Sequence, residues 1–256
     1  VRQARFDGRS SMIRWTEASG AESEKAEATV FVHGLGAAST VYHAHVAAHP
    51  ELSGRRMLFV DLPGHGISDR PDDFDYALES HADALAAALD AAQVRGAVVA
   101  GHSMGGAVAI VLAHRRPELV SRLVVTEGNL DRFPAPTAGS SGIASYTEEQ
   151  FVRGGGFARV LEHVGPQWAA TMRLSDPLAL HRTAAGLVRG SEPVMREMFE
   201  RARMERVYLQ GELSGPLPGR EGLEAAGVRV LTVPEAGHNV MFDNPGVFAR
   251  AVAGRG

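Results

Sequence analysis

Ser103 lies in the run VVAGHSMGG (98–106), a single hydroxyl among glycines directly after an apolar stretch. At neutral pH a serine hydroxyl is a poor nucleophile unless a base takes its proton. The chain must then also supply that base, an acid to orient it, and donors for the negative charge that develops. His238, in PEAGHNVMFDNP, follows the last strand-like run, and reactive groups gather in loops at the C-terminal edge of open α/β sheets. It is the expected base. His102 precedes the serine and is expected to point away from it, and His33, which opens HGLG, reads as a loop brace. His43, His45 and His49 in YHAHVAAH are the best metal candidates. No acidic residue accompanies them, so they read as one face of a helix rather than as ligands. The expected chemistry needs no metal and no organic cofactor.

The surroundings of Ser103 separate a nucleophile from a plain helix cap. The serine ends a buried strand-like run and opens a helix-like one, a setting in which its backbone enters a strained region. Gly101 and Gly105 relieve the crowding of such a turn, which a cap alone does not require. At the helix N-terminus, amides and dipole favour negative charge. The Met104 N–H is one expected oxyanion donor. The second is expected from HGLGAAS, after the ATVFV run, at Leu35.

The elements that must position these groups alternate along the chain. ATVFVHG (28–34), RMLFVDL (56–62), GAVVAGH (96–102) and SRLVVTE (121–127) are short, apolar runs that end in Gly, an acid or one residue past them. They read as strands buried on both faces. STVYHAHVAAH, LESHADALAAALDAAQ and SMGGAVAIVLAHRR read as intervening helices, which predicts a parallel sheet with helices on both sides. RQARFDG and SMIRWTE suggest an antiparallel hairpin at the start. From about Asp131 to Arg203 the pattern becomes Pro- and Gly-rich, then helical: TEEQFVRGGGFARVLEHV, PQWAATMRL, DPLALHRTAAGLV and SEPVMREMFERAR. Strand-like runs resume with ERVYLQG and GVRVLTV. The expected organisation is a core in two parts, 1–130 and 204–256, with a helical cap over 131–203. TAGSSG (137–142) is the one low-complexity turn.

The chain has 256 residues, 45% hydrophobic and 22% charged, with a formal net charge of −4. This composition suits a soluble globular protein acting on a small molecule, without a nucleic-acid or membrane partner. The absence of cysteine excludes disulfides and thiolate chemistry. The opening residues VRQARFDGRS have no apolar signal core, and a cytoplasmic location is expected.

FVHGLGAAS, VDLPGHGISDRP, VAGHSMGGAVAI and VPEAGHNVMFDNP, in that order, resemble the α/β-hydrolase superfamily, in its capped esterase- and lactonase-like branch. The resemblance covers roughly residues 28–127 and 204–250. It implies an α/β-hydrolase fold with an eight-stranded, mostly parallel sheet, a Ser–acid–His triad beneath the cap, and a structural role for Asp61. The chain departs from the family at the acid. The turn after the penultimate strand usually carries an Asp, and here QGELSG places Ser214 in that slot. Glu127, at the end of VVTE, is the expected acid, since some members resemble this chain in placing it there; Glu212 and Asp131 are the alternatives. The order Ser103, Glu127, His238 fits this fold. The expected reaction is hydrolysis of an ester or lactone through an acyl-enzyme. Carbon–carbon bond hydrolysis, thioester cleavage, perhydrolysis, or a non-catalytic ligand receptor built on this fold are the alternatives. Phe133, Phe151, Phe157, Trp168, Met172, Leu178 and Met195 are candidates for an apolar pocket lining, and Arg153, Arg159 and Arg173 for a carboxylate contact.

Overall fold

Along the strand Thr29–Val32, Val30 and Val32 pack on one side and Phe31 on the other, as the two-residue side-chain period requires. The whole strand is buried, and so are Met57–Asp61 and Ala97–His102. Strands buried on both faces need layers above and below, and the computed structural model supplies them. It describes all residues except 7, 9, 19–26, 136–140 and 256. The TAGSSG turn therefore lies outside the described residues except for Ser141 and Gly142.

Among the described residues the strands form one eight-stranded sheet: β1 (Arg2–Arg5), β2 (Met12–Ala18), β3 (Thr29–Val32), β4 (Met57–Asp61), β5 (Ala97–His102), β6 (Val120–Thr126), β7 (Glu205–Gly211) and β8 (Arg229–Val233). Their order is β1-β2-β4-β3-β5-β6-β7-β8. The β1–β2 and β2–β4 pairs are antiparallel, as the opening hairpin predicts, and every other pair is parallel. Helices α2 (Leu78–Ala91) and α3 (Met104–Arg115) cover the face that carries Val30, Val32, Val60 and Val99. Helix α1 (Ser39–His43) and the C-terminal α11 (Pro245–Ala253) cover the face with Phe31, Phe59, Val98 and Val124. Short helices α9 (Arg220–Ala225) and α10 (Val240–Asp243) flank β8.

Between β6 and β7 no strand lies among the described residues. Helices α4 (Glu148–Val152), α5 (Gly156–His163), α6 (Pro166–Met172), α7 (Pro177–Arg189) and α8 (Met195–Arg201) fill that stretch as a helical insertion. Two helices expected to be continuous are broken. TEEQFVRGGGFARVLEHV splits into α4 and α5 because Gly155 adopts φ +78° between them, while a Thr147–Gln150 capping box starts α4. STVYHAHVAAH ends as a helix at His43 (φ −127°) and continues as a 3₁₀ turn over Ala44–Ala48. The three histidines therefore do not share a helical face. His43 Nδ1 contacts the Ser39 carbonyl at 3.3 Å, His45 Nε2 the Met241 carbonyl at 2.7 Å, and His49 Nδ1 accepts from the Glu51 N–H at 3.3 Å. Among the described residues no helix is long and apolar enough to cross a membrane.

The interior holds several neutral imidazoles. Burial pushes His33 down to about 4, His43 and His65 down to about 3, and His81 and His102 well below the usual imidazole range. Unfolded, each binds a proton below about pH 6.5, whereas the folded protein leaves it neutral. Their contribution to stability is complete above about pH 6.5 and is lost progressively as the pH falls below it. Asp61, raised to about 6 by burial, acts in the opposite sense, but it is one group against five. The expected result is a urea midpoint clearly lower at about pH 5 than at about pH 7.5, with a slope near 1.4 kcal/mol per pH unit for each net proton. An unchanged midpoint contradicts the neutral interior.

Candidate active site

The turn from β5 into α3 places Ser103 at φ 52°, ψ −120°, a conformation rare for a residue with a side chain. Its hydroxyl makes no capping bond to α3, so the plain helix-cap reading fails. The turn survives because of its glycines. A Cβ on Gly105 would sit 2.4 Å from the carbonyl oxygens of both Val32 and His33, and one on Gly101 would sit 2.4 Å from the Gly105 carbonyl. Helix α3 thus enters against the end of β3, and the Ser103 N–H donates to the Thr126 carbonyl at 2.9 Å, tying the turn to the end of β6.

Glu127 follows that same strand end and is itself at φ 49°. Its N–H donates to the Leu209 carbonyl at 2.9 Å, and its Oε1 accepts the Gly211 N–H at 2.7 Å. Its Oε2 lies 3.4 Å from Nδ1 of His238. The carboxylate is therefore held between the ends of β6 and β7, with its side chain 11% exposed. The neighbouring peptide is braced as well: the Tyr208 hydroxyl donates to the Gly128 carbonyl at 3.0 Å. The two alternative acids are occupied elsewhere. Glu212 Oε2 accepts the Glu235 N–H at 3.0 Å, and Asp131 forms a bidentate pair with Arg196 of α8. Ser214 sits exposed in a 3₁₀ turn at Glu212–Ser214.

His238 lies in the loop between β8 and α10 with half of its side chain exposed. His102 has a partner that the sequence does not announce. The His102 ring meets the His238 ring at a tilt of 56°, centroids 4.9 Å apart, and its Nε2 is 2.9 Å from the His238 carbonyl oxygen. Burial keeps His102 neutral, so it acts as an Nε2–H donor that fixes the histidine loop. Sequence reasoning missed this partner because residues 102 and 238 meet only through the β5–β6–β7–β8 order. His33 is the brace expected: its Nε2 accepts the Leu62 N–H at 3.0 Å, and its Nδ1 contacts the Gly34 carbonyl at 2.7 Å. Asp61 is structural too, accepting the N–H groups of Ser39 (2.7 Å) and Ile67 (3.0 Å).

Ser103 and His238 line one cleft of about 720 Å³, counting its open mouth. Leu35 lines it too, from the Gly34–Ala37 turn after β3. Met104 is the first residue of α3, so its N–H has no acceptor one turn back in that helix. The remaining walls are mostly apolar, with Tyr42, Phe133, Ile143, Trp168, Leu187 and Val188, and Asn129 and Asn239 also line it. Of the aromatic and apolar lining candidates, Phe133 and Trp168 reach the cleft. Phe151, Met172 and Met195 are buried in the core layer under the insertion, Phe157 packs against that layer, and Leu178 is half-buried away from the cleft. Arg159 and Arg173 donate to the Gly154 and Ala169 carbonyls of their own helical segments, and neither they nor Arg153 line the cleft.

Residues 28–213 match the family described as alpha/beta hydrolase fold, and the chain belongs to that family. It is similar to the sn-1-specific diacylglycerol lipase ABHD11 of Mus musculus, 37% identical over 119 residues, which are 46% of this chain and 37% of that protein. It is also similar to the 2-hydroxymuconate semialdehyde hydrolase of Pseudomonas sp. (strain CF600), 37% identical over 97 residues, 38% of this chain and 34% of that one. The matched segments thus span little more than a third of these curated relatives. An esterase from Exiguobacterium antarcticum superposes with a TM-score of 0.77 over 98% of this chain and 97% of its own, at 18% identity, a likeness of fold.

The turn yields a sharp expectation. Gly105→Ala should lower stability by about 3 kcal/mol or more, because its neighbours are backbone carbonyls that cannot give way. Gly106→Ala, whose Cβ would meet Val125 Cγ1 at 3.0 Å, should cost less. Urea denaturation of the two variants makes the comparison.

Proposed function

We propose that the protein is a serine hydrolase that cleaves a carboxylic ester or lactone of a small to medium, largely apolar substrate through an acyl-enzyme. The observation that carries this reading is the Glu127 carboxylate 3.4 Å from His238 Nδ1, with His238 and Ser103 facing one apolar cleft. In this mechanism His238 Nε2 takes the Ser103 proton as Oγ attacks the carbonyl carbon. The Leu35 and Met104 amides receive the charge on the carbonyl oxygen. His238 then protonates the leaving alcohol, activates a water, and the acyl group departs as the acid. Glu127 keeps the proton of neutral His238 on Nδ1 and stabilises the imidazolium. Its contact shortens as that charge forms, since such bonds are long in free enzymes and tighten during reaction.

The cleft supports the substrate class. Its apolar walls suit an acyl chain, and the Asn129 and Asn239 amides in its lining suit one polar group of the substrate. The relative named for 2-hydroxymuconate semialdehyde makes that compound the second substrate to try.

The test is hydrolysis of short p-nitrophenyl esters and a lactone panel. Ser103→Ala should abolish turnover, and Glu127→Gln should lower kcat by about 10²–10⁴-fold, since the amide N–H can donate to Nδ1 and favour the wrong imidazole tautomer, and it carries no charge to stabilise the imidazolium. Glu212→Gln should stay within about threefold of the parent. If Glu212→Gln collapses turnover and Glu127→Gln does not, the acid is misassigned. Tight ligand binding with no turnover of any ester or lactone identifies a receptor instead.

A further inference from the structure

One contact joins the helical insertion to the turn that bears Leu35. Trp168, on α6, donates its Nε1–H to the Leu35 carbonyl at 2.7 Å. The next residue, Gly36, adopts φ +67°, and a Cβ there would lie 3.1 Å from Trp168 Nε1 and 3.1 Å from Met172 Cε. Helix α6 is therefore seated directly on this turn, with Met172 fully buried behind it. The indole also lines the cleft that holds Ser103 and His238.

The Leu35 N–H shares its rigid peptide plane with the Gly34 carbonyl, which the Ala37 N–H (3.1 Å) and His33 Nδ1 (2.7 Å) hold, and the Leu35 carbonyl lies beyond φ and ψ on the other side of the residue, so the Trp168 bond restrains the second of the two planes that set where Leu35 sits. We propose that Trp168 is a positioning residue: its Nε1–H holds Leu35 so that the Leu35 N–H meets the oxyanion, and the donor pair is complete only while α6 is seated. This rests on the reading of Leu35 as an oxyanion donor. It assigns the insertion a part in stabilising the transition state, beyond forming a wall of the cleft. Preorganised donors act through their fixed aim, so a small rotation of Leu35 weakens the oxyanion contact while leaving the apolar contacts to the acyl chain in place.

The experiment compares Trp168→Phe, which keeps an aromatic wall without the donor, with Gly36→Ala, which keeps the indole and pushes it off the turn. Each is measured on p-nitrophenyl butyrate and on two inhibitors with the same acyl chain. The first is a trifluoromethyl ketone. Ser103 Oγ adds to its carbonyl carbon, the serine proton passes to His238, and the ketone oxygen becomes the oxyanion. The second is the matching secondary alcohol, which carries no oxyanion. Both variants should lose about tenfold in kcat and in ketone affinity, with KM and alcohol affinity within about twofold of the parent. Unchanged kcat and ketone affinity, with Ser103→Ala inactive, would overturn the role of Trp168 and leave the hydrolase reading intact. Equal losses for ketone and alcohol would make Trp168 a plain cleft wall and overturn it as well. A parent protein that neither turns over the ester nor takes up the ketone would instead remove the hydrolase reading on which the inference rests. Far-ultraviolet circular dichroism identifies a variant that fails to fold, in which case the other carries the comparison.

Discussion

Close approach of backbone to backbone at one point governs this site. The first turn of α3 lies so near the end of β3 that the Cα of Gly105 faces two carbonyl oxygens, with no space for a methyl group. That approach lets the chain leave β5 and enter α3 within one residue, and it holds Ser103 in a backbone conformation that isolated residues avoid. The cost is local, of the order of 1–3 kcal/mol for such a residue, and the two buried faces of the sheet offset it. Everything at the cleft is registered against this turn: Leu35 reaches it from the end of β3, Glu127 from β6, and His238 from β8.

Strand order explains how groups far apart in the chain meet. β5 and β6 are neighbours, so the residues just beyond them, Ser103 and Glu127, leave the sheet on the same edge. β7 lies beside β6 and contributes its Gly211 amide to the Glu127 carboxylate. His238 comes from beyond β8, on the far side of β7, and its loop is tied back by the contact between its carbonyl and His102. Two histidines thus share one cluster with different duties. One is buried and neutral and bonds a main-chain carbonyl. The other is half exposed with a carboxylate at its Nδ1.

Much of this was legible in the residues. Val-rich runs ending near Gly or an acid mark strands buried on both faces, and the glycines around Ser103 announce a turn too tight for a Cβ. QGELSG has no Asp at position 214, which sends attention to the neighbouring strand end, where the Glu127 carboxylate lies 3.4 Å from His238. Other features were hidden for physical reasons. The partnership of His102 and His238 depends on which strands lie side by side, and a single sequence does not carry that order. Helix periodicity joined α4 to α5, although three glycines in a row favour a break at a left-handed residue. Most apolar residues of the insertion serve its own packing. Only the three-dimensional arrangement separates Trp168 and Phe133, which reach the cleft, from Phe151 and Met195, which do not.

The contacts at Asp131 have a consequence for the insertion as a whole. Arg196 grips the Asp131 carboxylate through Nε at 3.0 Å and Nη2 at 2.6 Å, and its own N–H donates to the Leu130 carbonyl at 2.7 Å. The two ends of the intervening chain are thereby cinched together beside the sheet, like the drawstring of a pouch. Whatever sequence fills the pouch, it starts at Asp131 beyond the end of β6 and closes at Arg196, from which α8 carries the chain back to the start of β7. Segments of other lengths can then be spliced between these two residues without disturbing strand register, which makes the neck a natural boundary for chimeras that exchange specificity.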